Sequence, residues 1–361
     1  MRLLYVTSIK LPSKYANRIQ TVSMAREFGK KLKGDFTLGG KRLQLGTGDE
    51  FMAYSFGSVR NGVVLAFSYL RFIKGHHVTH LYSREGTLLF LILIINRLFF
   101  WLKLHTTMEV HEIHGKKRAI HRYTHRRVNK CIVITSFLKE WLLREGVDPK
   151  RILVAPDGVD LALFDIALDK EGARRLWSLP VGRKIVAYVG SFFRYEWKGV
   201  DVLLKSAELL DQGILLVLMG ASQEEEKYVA AHFQSPNIVI LPQSDHNKVP
   251  SFLKAADVLA LPNKSGDIVS ERFTSPMKLF EYMGSRRPII ASDLPSIREV
   301  LHDNENALLV SPNDPFTLAN GIESILSDPE KGTRLANRAF ADVHEYTWAK
   351  RAEKILNFIS E

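Results

Sequence analysis

Short apolar runs alternate with helical patterns along almost the whole chain, and this alternation restricts the fold more than any other feature. RLLYVTS (2–8) suits a buried strand, and NRIQTVSMAREFGKKL (17–32) follows with helical spacing. HVTHLYS, TTMEVHEI and CIVITS are further strands of the first half. After a loose stretch near 154–183, marked by the turn Pro156-Asp157-Gly158, the alternation restarts with KIVAYVG, ILLVLMG, NIVILPQ, DVLALPN, RPIIASD and NALLVSP. Runs buried on both faces and separated by helices predict parallel sheets. With 361 residues the chain is long enough for two such domains in tandem, both doubly wound α/β. No clear period is visible across 35–75. The last helical pattern, TWAKRAEKILNFI (347–359), has no strand after it and is free to pack on either domain.

A single cysteine, Cys131, excludes an internal disulfide and a cysteine-held metal cluster. That usage suits a reducing compartment, and the start MRLLYVTSIK lacks the pattern of a secretory signal, so the expectation is cytoplasmic. The formal charge of +11 is concentrated in the first half, in GKKLKG (29–34) and GKKRAIHRYTHRRVNK (115–130). Such a face suits an anionic partner or is simply solvated. The apolar stretch 88–102, interrupted by Asn96 and Arg97, is too short and polar to span a bilayer. It reads either as a buried helix or as one lying on a membrane surface.

No GxGxxG follows the first strand, and no P-loop, HExxH or nucleophile elbow is present, which removes common α/β activities. What chemistry there is gathers at predicted strand ends, where helix N-termini suit phosphate. SPMKLFEYMG (275–284) reads as a helix with Ser275 as its cap and Pro276 in its first turn. The N–H groups of Met277 and Lys278, with the Lys278 ammonium, suit a phosphate there. Glu281, one turn deeper, suits the vicinal hydroxyls of a ribose. The competing interpretation is a local pair, Lys278 with Glu281 or Glu281 with Arg272. In VGSFFRYEWKGVDVLL (189–204) a strand ends at Gly190, and Arg194 and Lys198 are placed to meet a diphosphate or to remain solvated cations.

In the first half, EVHEIHG (109–115) sets His111 and Glu112 at a strand end expected to face the second domain, with His114 as a nearby rival. Such a histidine suits a substrate hydroxyl, although one at a strand end is commonly structural. In SIKLPSKYANRIQ (8–20), Ala16 and Asn17 are small residues at a helix start, where backbone can approach a ligand or phosphate closely.

Together these stretches resemble the retaining GT-B glycosyltransferases of family 4, the glycosyl transferases group 1. CIVITSFLKEWLLREG, RILVAPDGVDLALFD, YVGSF, WKGVDVLL and SPMKLFEYMGSRRPIIASDLPSIREVL carry the likeness, which covers nearly the whole chain and is strongest from Cys131 onward. The resemblance implies two Rossmann-like domains facing a central cleft. They are expected at 1–163 for the acceptor and 164–346 for the donor, with the 347–361 helix packing back on the first. It implies that Lys198 and Arg194 hold a diphosphate, Glu281 the ribose, and Ser275 to Lys278 phosphate and sugar, with His111 in the active site. It also implies a retaining reaction with no metal and no cofactor beyond the nucleotide sugar. Two departures are visible. The first of the family's paired glutamates falls at Phe273, with Glu271 out of register, although SPxKxxE stands in for the pair in one subgroup. Ala16-Asn17 replaces paired glycines in the first loop.

The activity expected is therefore transfer of a sugar to a glycan or lipid-linked acceptor in cell-surface polysaccharide synthesis, at the cytoplasmic face of an anionic membrane. The alternative is a nucleotide-sugar-binding partner subunit without activity, which Phe273 favours. A sugar-nucleotide epimerase is a further rival. Nucleic acid is not expected as a partner, since no basic module with interleaved aromatics is present.

Overall fold

In the computed structural model the chain divides into two units, Met1–Asp157 with Trp348–Glu361, and Gly158–Thr347. The structure describes residues 1–8, 16–41, 43, 51–57, 59, 61–113, 118–193, 195–233 and 235–361, without the side chains of Ala16 and Asn17.

The first unit is built on seven parallel strands: β1 (Leu3–Val6), β2 (Phe36–Gly40), β3 (Met52–Ser55), β4 (His80–Ser83), β5 (His105–Val110), β6 (Lys130–Val133) and β7 (Ile152–Val154). Their order is β3-β2-β1-β4-β5-β6-β7. β1 is buried at every position because helices cover both faces, and Leu4 registers with Thr37 on one side and Leu81 on the other. Its core is aromatic: Tyr82 packs edge-on against Tyr5 at 4.9 Å and against Phe28 at 5.5 Å. The last helix, Trp348–Ser360, lies on the first helix, Ala16–Leu32, and buries Trp348, Arg351, Ile355 and Ile359.

The second unit has β8 (Lys184–Val189), β9 (Ile214–Ala221), β10 (Ile238–Pro242), β11 (Val258–Leu261), β12 (Ile289–Ser292) and β13 (Leu308–Val310), in the order β10-β9-β8-β11-β12-β13. Both sheets are Rossmann-like. The strand order reverses at β1/β4 in the first unit and at β8/β11 in the second, and the crevice beyond such a reversal is where an open sheet binds ligands.

The 35–75 region, without a readable period, holds β2, β3 and the helix Gly62–Gly75. β3 is an edge strand of four residues with none fully buried, so no alternation marks it. The loose stretch near 154–183 contains the helix Lys170–Leu176, capped by Asp169, whose side chain accepts from the Gly172 N–H. The apolar 88–102 segment divides its character. Its helix, Gly86–Ile95, buries Leu88, Leu89, Ile92 and Ile95, whereas the π-helical turn Asn96–Phe100 turns outward. Leu98, Phe99 and Trp101 are 59%, 65% and 78% exposed, a cluster of apolar surface at this turn. Among the described residues no helix is long and apolar enough to cross a membrane.

Candidate functional site

In the second unit the predicted residues converge beyond the β8/β11 reversal. Gly190 closes β8 at φ +138, and a Cβ there would lie 3.0 Å from Lys278 Nζ, so the absent side chain admits the lysine. Gly199, at φ +68, ends the turn that carries Lys198, and a Cβ there would stand 1.8 Å from the Pro262 carbonyl oxygen. The loop after β8 therefore passes close against the end of β11 only because that residue is glycine. Lys198 donates to Ser191 Oγ at 2.6 Å and stays over the strand end.

The helix Met277–Gly284 starts one residue later than its sequence suggests. Pro276, extended at φ −73 and ψ 122, occupies the cap position in place of Ser275, and makes no side-chain cap bond. The first-turn N–H groups of Met277 and Lys278 have no partner among the described residues. Tyr282 docks the helix by accepting from the Val189 N–H at 3.0 Å. Lys278 Nζ is buried, lies 3.9 Å from the centre of the Tyr188 ring, and has no hydrogen-bond acceptor among the described residues. Burial, and then the nearby Lys198 charge, hold its pKa well below the usual lysine range against the attraction of Glu281. A buried amine with no acceptor among the described residues, beside Lys198 and a helix N-terminus with free N–H groups, is an arrangement that suits an anion.

Glu281 makes neither of the local pairs considered from the sequence. It is almost fully buried and accepts from His246 Nε2 at 2.6 Å. His246 sits in the turn His246–Lys248 after β10. Burial lowers its pKa, but the bond and charge of Glu281, with Asp160 behind, outweigh that and raise it. The stability this pair supplies is thus complete below the unfolded value of 6.5 and is lost as pH rises through the raised folded value. His246→Gln is expected to remove that slope, as thermal midpoints compared between about pH 6 and about pH 9 will show. Phe273 is 8% exposed and carries no polar atom. Glu271 is engaged in its own loop, accepting from the Gly266 N–H at 2.8 Å. Asn263, at the end of β11, holds a buried amide nitrogen without an acceptor among the described residues. His246 and Asn263 were not anticipated, for a turn histidine and a strand-end asparagine carry no periodic signal. Arg194 lies outside the described residues.

In the first unit Ala16 and Asn17 are the first residues of the Ala16–Leu32 helix. His114 lies outside the described residues. His111 follows β5, its Nε2 2.5 Å from Glu109 Oε1. The same carboxylate accepts from Gln20 at 2.7 Å, from Arg351 Nη2 at 2.8 Å and from the Tyr82 hydroxyl. Burial would raise the Glu109 pKa, and Arg351 and His111 bring it well below the usual range. Ligand-type atoms of Glu109, His111 and Asp157 lie within 4.8 Å of one another. Arg351 supplies a positive charge to Glu109 in that group.

Comparisons agree with this architecture. Residues 169–342, within the second unit, match the family model of glycosyl transferases group 1. D-inositol 3-phosphate glycosyltransferase of Xylanimonas cellulosilytica is 27% identical over 230 residues, 60% of this chain and 52% of that protein. Phosphatidyl-myo-inositol mannosyltransferase of Mycolicibacterium smegmatis is 27% identical over 245 residues, 66% of this chain and 59% of its own length. The chain spans about half the length of the curated relatives it matches. Among solved structures, Anabaena HepE in complex with UDP and glucose superimposes with a TM-score of 0.82 over 100% of both chains at 15% identity. Sucrose-phosphate synthase from Thermosynechococcus elongatus gives 0.80 at 16% identity, over 99% of this chain and 98% of that one. The fold is therefore GT-B, two Rossmann-like domains in one chain.

Proposed function

We propose that this protein is a retaining, metal-independent glycosyltransferase. It moves a sugar from a nucleoside-diphosphate sugar to a glycan or lipid-linked acceptor in cell-surface polysaccharide synthesis. The observation that carries the reading is the buried, acceptorless Lys278 Nζ beside Lys198 at the uncapped start of Met277–Gly284. A diphosphate there receives both ammonium groups and the N–H groups of Met277 and Lys278, with Arg194 assigned to the same group. Stabilising the departing diphosphate as its charge develops is the main contribution such cations make. Glu281, released from or shared with His246, accepts the ribose hydroxyls. The sugar C1–O bond to phosphate breaks while C1 bonds to the acceptor oxygen on the same face, and the acceptor's proton passes to a phosphate oxygen. His111 holds a substrate hydroxyl.

The partner of the basic first unit is, on this reading, the anionic cytoplasmic face of a membrane. The exposed Leu98, Phe99 and Trp101 next to Arg97 and Lys103 favour it, as amphipathic contacts of that kind do. A second reading, a nucleotide-sugar-binding subunit without turnover, is favoured by the apolar Phe273.

Thermal shift with UDP, GDP, dTDP, ADP and CMP tests the donor site, UDP first because the Anabaena structure is described with it. At a hundred times its dissociation constant the matching nucleotide stabilises by roughly 2.7 kcal/mol. Glu281→Gln is expected to lose most of that shift. A wild-type protein that responds to none of the five would remove the reading. A protein that binds a donor but transfers its sugar to no acceptor would establish the second one.

A further inference from the structure

Glu109 is fully buried on β5, and four donors meet its carboxylate from four different elements. Gln20 comes from the first helix, Tyr82 from β4, His111 from the end of β5 and Arg351 from the last helix, 242 positions along the chain. Such a site is over-determined for its own stability, since one well-placed cation already answers one buried carboxylate. What the extra order fixes is His111.

The proton positions follow from the donor inventory. The Gln20 amide nitrogen has two hydrogens, and they go to Glu109 Oε1 at 2.7 Å and Asp157 Oδ1 at 2.9 Å. None is left for His111 Nε2, 3.3 Å away. A Glu109 carboxylate that accepts from Arg351 and Gln20 carries no proton of its own. The hydrogen between it and His111 therefore belongs to Nε2. The Arg351 guanidinium is held in turn by donating to the carbonyl oxygens of Ala155 at 3.3 Å and Pro156 at 2.8 Å. Its plane cannot rotate freely, and the Glu109 carboxylate is held by donors on both oxygens, Arg351 and Gln20 on Oε1 and Tyr82 on Oε2.

We infer that Glu109 and Arg351 are positioning residues that fix His111 in the tautomer protonated on Nε2, leaving Nδ1 as a bare acceptor for a substrate hydroxyl. The inference rests on the role proposed above for His111 and adds a direction to it: the imidazole accepts rather than donates. The charges around the ring are consistent with a neutral imidazole. Burial and Arg84 disfavour its protonation, and Glu109 and Asp157 oppose them without reversing the balance. Tyr82 and Gln20 complete the surroundings and remain neutral. The last helix thus has a task in the first unit beyond covering it.

Two-bond proton–nitrogen correlation spectra of the full chain, labelled with 15N-histidine, test this directly. His111 is assigned by the signals that vanish in His111→Phe. The expected result is the Nε2-protonated neutral pattern at about pH 7.5. A Nδ1-protonated or doubly protonated ring would overturn the inference, whatever the protein's activity. In the kinetics, Glu109→Gln is expected to lower kcat about a hundredfold with little change in donor KM. Arg351→Lys, which keeps the charge, is expected to recover most of the kcat lost in Arg351→Met. Unchanged kcat in Glu109→Gln would also overturn it. Should that variant fail to fold, the wild-type spectrum decides alone. A protein that transfers no sugar but shows the Nε2 tautomer would refute the transferase reading and keep the geometry.

Discussion

Replacing Arg351 with methionine is expected to lower the unfolding free energy of the first unit by about 3–5 kcal/mol, as breaking one side of a buried ion pair does. The reason is the carboxylate it leaves behind. Glu109 is fully inaccessible, and without Arg351 its carboxylate would keep only the neutral donors of Gln20, Tyr82 and His111, with Arg84 as a weaker charge nearby. Methionine replaces much of the buried stem but none of the five N–H donors, two of whose contacts tie Pro156 and Ala155 to the last helix. The double variant Glu109→Met with Arg351→Met removes both charges and is expected to regain most of the loss. The coupling energy from this cycle, measured by urea denaturation with hydrogen exchange locating the transition, separates pairing from packing. The pH dependence carries the same sign. Glu109, depressed below 4.5 in the folded state, supplies stability that is present above that value and lost as pH falls through the folded one. In Arg351→Met this acid-side slope should flatten or reverse. A cost under about 1 kcal/mol would mean that the pair is replaceable by its neutral neighbours.

The same pair marks where the sequence stops being legible. Parallel strands buried on both faces leave apolar runs that any short window shows, so ten of the strands are visible as RLLYVTS, HVTHLYS, TTMEVHEI and their later counterparts. β2 and β3 are not, because FTLGG ends in two glycines and MAYS is half exposed, so neither makes a run. β7, with only three residues, is likewise lost beside the PDG turn. In the second unit the candidate anion site is legible because its parts lie close in sequence near strand ends: Gly190 with Lys198, and Met277 with Lys278. The partners of those parts are not. Nothing local links His246 to Glu281, 35 positions on, or Glu109 to Arg351, 242 positions on. Local sequence proposes pairs such as Lys278 with Glu281, and the fold replaces them with long-range ones because burial strengthens a well-aligned contact more than proximity along a helix does. The serine cap fails for a different reason. Proline fixes φ near the value a cap can share, so Pro276 takes the position Ser275 was expected to hold.

Lys278→Met is expected to weaken nucleoside-diphosphate binding roughly a hundredfold, about 2–3 kcal/mol, while leaving the ligand-free protein more stable than before. Both effects follow from one atom. In the free protein Nζ is buried, without an acceptor, and next to Lys198, so it contributes an unsatisfied donor costing about 1–3 kcal/mol. The Tyr188 ring at 3.9 Å offsets part of that, a cation–π contact being worth about 0.5–2 kcal/mol. Methionine fills the same volume with no polar atom, and a gain of about 1 kcal/mol is the expected balance. A diphosphate reverses the sign, because it gives the ammonium the partner it lacks. Protonation links the two states. With the folded pKa well below 10.5, the unfolded chain binds the extra proton between those values, so ligand-free stability rises with pH across that window. An incoming anion favours the charged amine, so binding takes up a proton and weakens as pH rises through the depressed value. Calorimetric titration in buffers of different ionisation heat will read that uptake directly. In Lys278→Met both the uptake and the alkaline slope should vanish together. A variant that loses stability and keeps its affinity would show that Lys278 serves the core of the second unit rather than an anion above it.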